Sequence, residues 1–154
     1  MILVSSCLAG NPVRYNGTSC MNDIVQKLID EKKAVPVCPE LLGGFVIPRE
    51  PAEIIGGDGF DVLDGKAKVI ECSGNDVTEL YINGARKTLE MAKEIEATHV
   101  ILKEYSPSCG SQKIYNGEFM GKRRDGAGVT AALLAINGIK VISEQELENW
   151  KDEV

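Results

Sequence analysis

The chain has 154 residues, 44% hydrophobic and 26% charged, with a formal net charge of −6. That size fits one domain, residues 1–154, with a full core, and no apolar run approaches the roughly 20 residues that cross a bilayer. The acidic balance argues against general nucleic-acid binding, and an apolar run directly after Met1, with no basic leader, points to a cytoplasmic protein.

The first predicted strand is 2–6, followed by a turn-rich loop over 7–19. Residues 21–32 place Ile24, Val25, Leu28 and Ile29 at the spacing of an amphipathic helix, and 34–37 form a second strand. A Gly- and Pro-rich loop runs over 38–52. Residues 53–72 predict a small antiparallel ribbon, with Val62-Leu63 and Val69-Ile70 flanking an Asp64-Gly65 turn. The longest helix spans about 77–97, with Asp76 as N-cap, a stripe of Leu80, Ile82, Ala85, Leu89, Ala92 and Ile95, and Gly84 at a point of close packing. A third strand at 99–103 leads into a loop over 104–126. A helix then opens at Gly126-Ala127-Gly128-Val129-Thr130 and stops at Asn137-Gly138. A fourth strand covers 139–142, and Ser143 with Glu146 caps a last helix. Strands alternating with helices predict an α/β fold, a single doubly wound, mostly parallel sheet with helices on both faces and a small antiparallel ribbon insertion. Right-handed crossovers would gather the long loops after the strands at one edge, where α/β folds bind ligands.

Cys7, Cys38 and Cys109 each follow a predicted strand into one of those loops. Three thiolates meeting there suit a soft metal or an iron–sulfur cluster with one position open to substrate. Five cysteines, no Cys-x-x-Cys pair and no secretory features speak against a disulfide scaffold, a zinc ribbon or a thioredoxin-type centre. Cys20 and Cys72 read as small packed hydrophobes.

Glu40, two residues past Cys38, is a candidate general acid or base, with a loop-capping role as the alternative. Glu50 and Glu53 are explained by pairing with Arg49 or by exposure. Ser106 and Ser108 offer hydrogen bonds to a ligand or simply form the turn beside Pro107. The backbone of Gly126-Ala127-Gly128 offers an anion or carbonyl site at a helix start, or only a turn. Arg14 and Tyr15 stand where they can line the pocket. His99, the only histidine, sits at the amino end of its strand, so no Ser-His-Asp or Cys-His constellation can be built.

Five ordered segments carry a resemblance: Ser5-Ser6-Cys7-Leu8-Ala9-Gly10; Arg14-Tyr15-Asn16-Gly17; Cys38-Pro39-Glu40 with Gly43-Gly44 and Pro48-Arg49; Ser106-Pro107-Ser108-Cys109-Gly110; and Gly128-Val129-Thr130-Ala131-Ala132-Leu133. Over nearly its whole length the chain resembles the thiouracil desulfidase (TudS-like) family. The resemblance implies a 4Fe–4S cluster held by Cys7, Cys38 and Cys109, with the fourth iron open to the sulfur of a thiolated pyrimidine. It further implies Glu40 acting in the hydrolytic step with help from Ser106, and release of hydrosulfide without net redox change; Arg14, Ser108 and Gly128, read from their loops, are the candidate substrate contacts. The expected partner is a small thiolated nucleobase or nucleotide, with no membrane partner, and helix faces alone mark no oligomer interface. One departure is the run Lys122-Arg123-Arg124-Asp125-Gly126, where the family pattern carries proline and glycine. Cations bordering the pocket would admit a phosphorylated thionucleotide. Two rival readings remain: a cluster- or metal-binding sensor or carrier without turnover, and a metal-free thiol hydrolase or transferase with Cys109 as nucleophile.

Overall fold

The computed structural model describes residues 1–10, 22–46 and 49–150. In chain order the elements are β1 (Ile2–Ser5), α1 (Asp23–Asp30), β2 (Ala34–Val37), α2 (Pro39–Leu42), β3 (Ala52–Ile55), α3 (Gly59–Leu63), β4 (Lys68–Glu71) and α4 (Thr78–Glu94). They continue with β5 (His99–Leu102), β6 (Lys113–Tyr115), β7 (Arg123–Asp125), α5 (Val129–Ile136), β8 (Lys140–Ser143) and α6 (Leu147–Trp150). Among the described residues no helix is long and apolar enough to cross a membrane.

β2, β1, β5 and β8 pair in that order as a parallel sheet. Ile2 lies level with both Ala34 and His99, and His99 with Lys140, so the strands also end level. Side chains alternate between the faces. Leu3, Val100 and Leu102 pack with Ala92 of α4 and Ala131, Ala132 and Leu134 of α5. Ile2, Val4 and Ile101 pack with Val25 and Leu28 of α1 and with Leu147. This two-sided burial explains why the strands read as continuous apolar runs, and each fully buried Leu or Ile contributes roughly 1.5–3 kcal/mol. The strand order reverses at β1: β2 lies on one side of it and β5 on the other. The crevice of such a sheet opens where the order reverses, at the carboxyl ends of β1 and β5. There Lys103 N donates to Ser5 Oγ at 3.0 Å, tying the two strand ends together.

The ribbon expected over 53–72 is present, but its strands are β3 and β4, paired from Ala52↔Glu71 to Ile55↔Lys68. Val62 and Leu63 are helical. Asp58 accepts from Phe60 N and Asp61 N while Asp61 accepts from Asp58 N, a capping box that nucleates α3. Asp64-Gly65 is its C-terminal stop, not a hairpin turn, with Gly65 at φ 77°. In α4, Leu80 is exposed and Tyr81 is the buried residue, and the helix begins at Thr78, although Asp76 still accepts from Thr78 N and Oγ1. Two segments expected as loops hold regular structure. Pro39 starts the single turn α2. β6 and β7 form a second antiparallel ribbon, so Arg123 and Arg124 lie on a strand.

Candidate active site

Cys7 lies in a 3₁₀ turn (Ser6–Ala9) directly after β1, Cys38 is the N-cap of α2 directly after β2, and Cys109 sits in the loop after β5. All three line one cavity of about 490 Å³ at the carboxyl edge of the sheet, together with Glu40 and Ser106. Cys7 and Cys109 are buried and Cys38 is half-buried. Burial pushes the Cys109 thiol well up from its ordinary pKa, and Glu40, Cys38 and Cys7 push it further while a hydrogen bond with Ser108 opposes. Burial also raises Cys38, against the backbone N–H of Leu41. A buried thiol whose pKa is raised is a poor free nucleophile, which weighs against a metal-free Cys109 mechanism. Thiols of this kind deprotonate when a metal centre displaces their protons.

Among the described residues no three His, Cys, Asp or Glu side chains gather closely enough to hold a single metal ion. Four of the described cysteines line this cavity, Cys72 at its exposed margin; the other three, buried or half-buried, suit a multi-iron cluster, because each thiolate there binds a different iron.

The Cys109 loop is anchored from three directions. The carboxylate of buried Glu104 accepts from Ser111 N (2.8 Å), Gln112 N (3.1 Å), Lys113 N (3.2 Å) and Ser111 Oγ (3.1 Å). Ser106 Oγ accepts from Ser108 N at 3.0 Å and Cys109 N at 3.1 Å. The start of α5 supplies the rest: Gly128 N donates to Gly110 O, Val129 N to Pro107 O, and Thr130 N to Ser108 O. The backbone donors at Gly128 therefore hold the cysteine loop and are not free for an anion. A side chain at Gly128 would run into the Ser108 carbonyl and Cys109 N, so this position needs glycine for close approach.

Glu40, in the first turn of α2, is nearly buried in an ion pair with Arg49, whose NH2 lies 2.7 Å and Nε 2.9 Å from Oε2. Tyr81 OH donates to the same oxygen at 3.1 Å. Among the described residues Oε1 receives no donor, so one carboxylate oxygen is fixed and the other is left for chemistry. Burial works against the Arg49 charge, but Glu40 and Tyr81 outweigh it and the guanidinium pKa rises. Burial and Glu40 hold the Tyr81 phenol well above its usual range, so it stays a donor. α2 meets α4 at glycines: a Cβ on Gly84 would overlap the Pro39 carbonyl, and one on Gly43 the Leu80 carbonyl. That contact brings Tyr81 within reach of Glu40, and it is the close packing expected at Gly84.

The other candidates divide. Ser108 is buried behind Cys109 with its Oγ 2.8 Å from Thr130 Oγ1, and neither it nor Gly128 lies on the cavity wall. Arg14, Tyr15 and Cys20 lie outside the described residues. Arg49 pairs with Glu40 rather than with Glu50 or Glu53. Glu50 instead accepts from Cys72 Sγ, Ser73 N and Ser73 Oγ, and Glu53 is buried, accepting from Gly117 N and Phe119 N. Cys72 is exposed at the cavity margin, not packed in the core, because the ribbon that carries it ends there. His99 bonds Thr98 Oγ1 at 2.9 Å at the amino end of β5. Lys122, Arg123 and Arg124 are exposed and none of them lines the cavity. Sequence reasoning missed Tyr81, Glu104, Tyr105, Tyr115 and Phe119, all on the wall. For Glu104 the available signal was a lone carboxylate directly after a strand, entering a cysteine loop.

Comparison with known proteins places the chain among relatives over nearly its whole length. A family model described as 2-thiouracil desulfurase matches residues 2–146. A Bacillus subtilis (strain 168) protein described as uncharacterized protein YbbK is 65% identical over 149 residues, covering 97% of this chain and 99% of its own. A solved structure, 4Fe–4S-dependent thiouracil desulfidase TudS, superposes with a TM-score of 0.85 at 41% identity, covering 96% of this chain and 93% of that one.

Proposed function

The chain belongs to the 2-thiouracil desulfurase family, and on that premise we propose that it is an iron–sulfur enzyme that hydrolytically desulfurates a thiolated pyrimidine. The observation that carries this reading is the gathering of Cys7, Cys38 and Cys109, from three separate strand ends, on one cavity wall with Glu40. The 4Fe–4S dependence stated for the similar TudS structure fits that donor set. Cys7, Cys38 and Cys109 would hold the cluster, leaving one iron without a protein thiolate. What such a cluster supplies is soft Lewis acidity toward sulfur.

The protein's own residues supply the rest. Glu40 Oε1 takes a proton from a water that attacks the thiocarbonyl carbon, while Arg49 and Tyr81 keep Oε2 in place. Addition of the hydroxide forms the carbon–oxygen bond. The proton held by Glu40 then passes to sulfur as the carbon–sulfur bond breaks, hydrosulfide leaves, the remaining hydroxyl proton is lost to solvent, and no electrons are transferred. Ser106 uses its Oγ lone pairs to hold the cysteine loop, so its hydroxyl proton is available to a ring oxygen or nitrogen of the base. The partly apolar wall suits a planar uncharged ring.

Anaerobic reconstitution followed by iron and sulfide analysis, then hydrosulfide release from 2-thiouracil and 4-thiouracil, tests the reading. A full cluster with no release from either base or from their nucleotides would leave a sensor or carrier as the function.

A further inference from the structure

Among the described residues four non-glycine residues have a backbone φ in the left-handed region: Lys32, Glu96, Tyr105 and Phe119. Two follow from helix endings. Lys32 and Glu96 each sit one residue past a helix C-cap, where Lys33 N reaches back to Leu28 O and Ala97 N to Ala92 O. Tyr105 at φ 76° and Phe119 at φ 56° have no such excuse. Bulky side chains are outliers in this region, and such conformations persist only where surrounding contacts enforce them, most often at functional sites. Both residues are aromatic, and both line the cavity that holds the three thiols.

The enforcing contacts are visible. Tyr105 OH accepts from Gln145 Nε2 at 2.8 Å, and its ring lies under the Arg123 guanidinium, 3.6 Å from the centroid. Tyr115, also on the wall, stands 6.3 Å from the Tyr105 ring and 5.8 Å from Arg123. Phe119 sits at the tip of the β6–β7 ribbon, where buried Glu53 fixes the backbone through Gly117 N at 2.9 Å and Phe119 N at 3.2 Å. A carboxylate and a guanidinium are thus spent on aiming aromatic rings at a cavity. Phe119 remains about one-third exposed, so burial of its own surface does not account for the arrangement.

We infer that Tyr105 and Phe119 form a stacking wall for the planar ring of the substrate, with Tyr115 and Arg123 as its brace; this rests on the proposed desulfidation and names residues that select a heteroaromatic base. Stacking on an aromatic side chain tolerates different ring substituents, which suits a site that must hold a thiolated base and let go of its oxo product. Arg123, from the basic run, braces Tyr105 and so serves the wall indirectly.

The test uses cluster-loaded protein and uracil, a planar probe without sulfur, titrated by calorimetry under anaerobic conditions. Phe119→Gly removes the ring while keeping the backbone donor to Glu53 and relieving the left-handed conformation. It is expected to weaken uracil binding roughly 5- to 150-fold, with an unfolding temperature equal to or above wild type. Phe119→Tyr is expected to restore binding, and Tyr105→Gly to weaken it. In turnover the KM for thiouracil rises while kcat stays within a few-fold. Uracil binding unchanged in both glycine variants, or lost only in step with unfolding temperature, overturns the inference. Phe119-dependent uracil binding without hydrosulfide release by the wild type supports the wall and removes the desulfidation reading. Hydrosulfide release with KM unchanged in both variants removes the wall alone.

Discussion

Replacing Gly84 with alanine tests the contact that sets Glu40 in place. In an exposed helix interior this substitution stabilises by about 1 kcal/mol, because alanine is the better helix former. Here the added Cβ would overlap the Pro39 carbonyl oxygen and stand 3.0 Å from its carbon. The obstacle is backbone, which cannot rotate aside, so α2 must move away from α4. Overpacking of this kind costs about 1–3 kcal/mol. The displacement also stretches the 3.1 Å bond from Tyr81 to Glu40, and a hydrogen bond to a charged group contributes about 1.5–3 kcal/mol. Less the helix gain, the net loss is about 1.5–5 kcal/mol, which lowers the melting temperature by roughly 3–20 °C in a chain of this size. Thermal unfolding followed by circular dichroism reads the effect, and iron per chain after reconstitution reads the displacement of Cys38. Asn83→Ala, at an exposed neighbouring position, is the control and should raise stability slightly. A Gly84→Ala protein as stable as wild type, with full iron, would show that α2 is not held by this contact.

Each of Cys7→Ser, Cys38→Ser and Cys109→Ser is expected to lose most bound iron on anaerobic reconstitution, whereas Cys72→Ser keeps it; equal iron in all four variants would disprove the ligand assignment. Glu40→Gln should retain iron and lower kcat at least about 100-fold. Tyr81→Phe should lower kcat by roughly 10-fold through loss of one hydrogen bond to the carboxylate, again with iron retained. Glu104→Ala leaves several loop donors unsatisfied and should cost about 3 kcal/mol or more, read as a lower denaturation midpoint; a change under about 0.5 kcal/mol would contradict its anchoring role. Chelation of iron from the loaded enzyme should leave far-ultraviolet circular dichroism unchanged, because the cysteine loop keeps its protein anchors.

The parallel sheet was readable because its central strands β1 and β5 are buried on both faces and its strands alternate with segments of helical spacing. From that, the gathering of three cysteines at one edge followed by topology alone. The misread parts have local causes. Asp64-Gly65 signals a hairpin turn and a helix stop equally well, and only the Asp58–Asp61 capping box decides between them. In α4 only the first position of the expected stripe differs, since hydropathy ranks Leu80 above Tyr81, while Ala85 and Ala92 are buried as expected. Tyr81 is buried because Glu40, distant in sequence, receives its hydroxyl. The three-residue strand β7 is charged and wholly exposed, so no alternation marks it. The functions of Glu53 and Glu104 depend on backbone donors across turns, which no residue pattern announces.

The same distinction explains how the site is built. Level strand ends bring the loops that carry Cys7, Cys38 and Cys109 to one edge of the sheet. Their placement then relies on protein anchors: the Ser5–Lys103 bond between β1 and β5, the glycine contact under α2, and the Glu104, Ser106 and α5 donors around Cys109. Small metal domains whose ligands lie on otherwise unsupported loops fold only with metal, since binding must then supply the ordering free energy. Here the ordering is supplied by the sheet and by buried carboxylates. Under the proposed ligation, binding energy at the thiols would be free to hold an incompletely ligated centre, with the Arg49–Glu40–Tyr81 group on the same cavity wall.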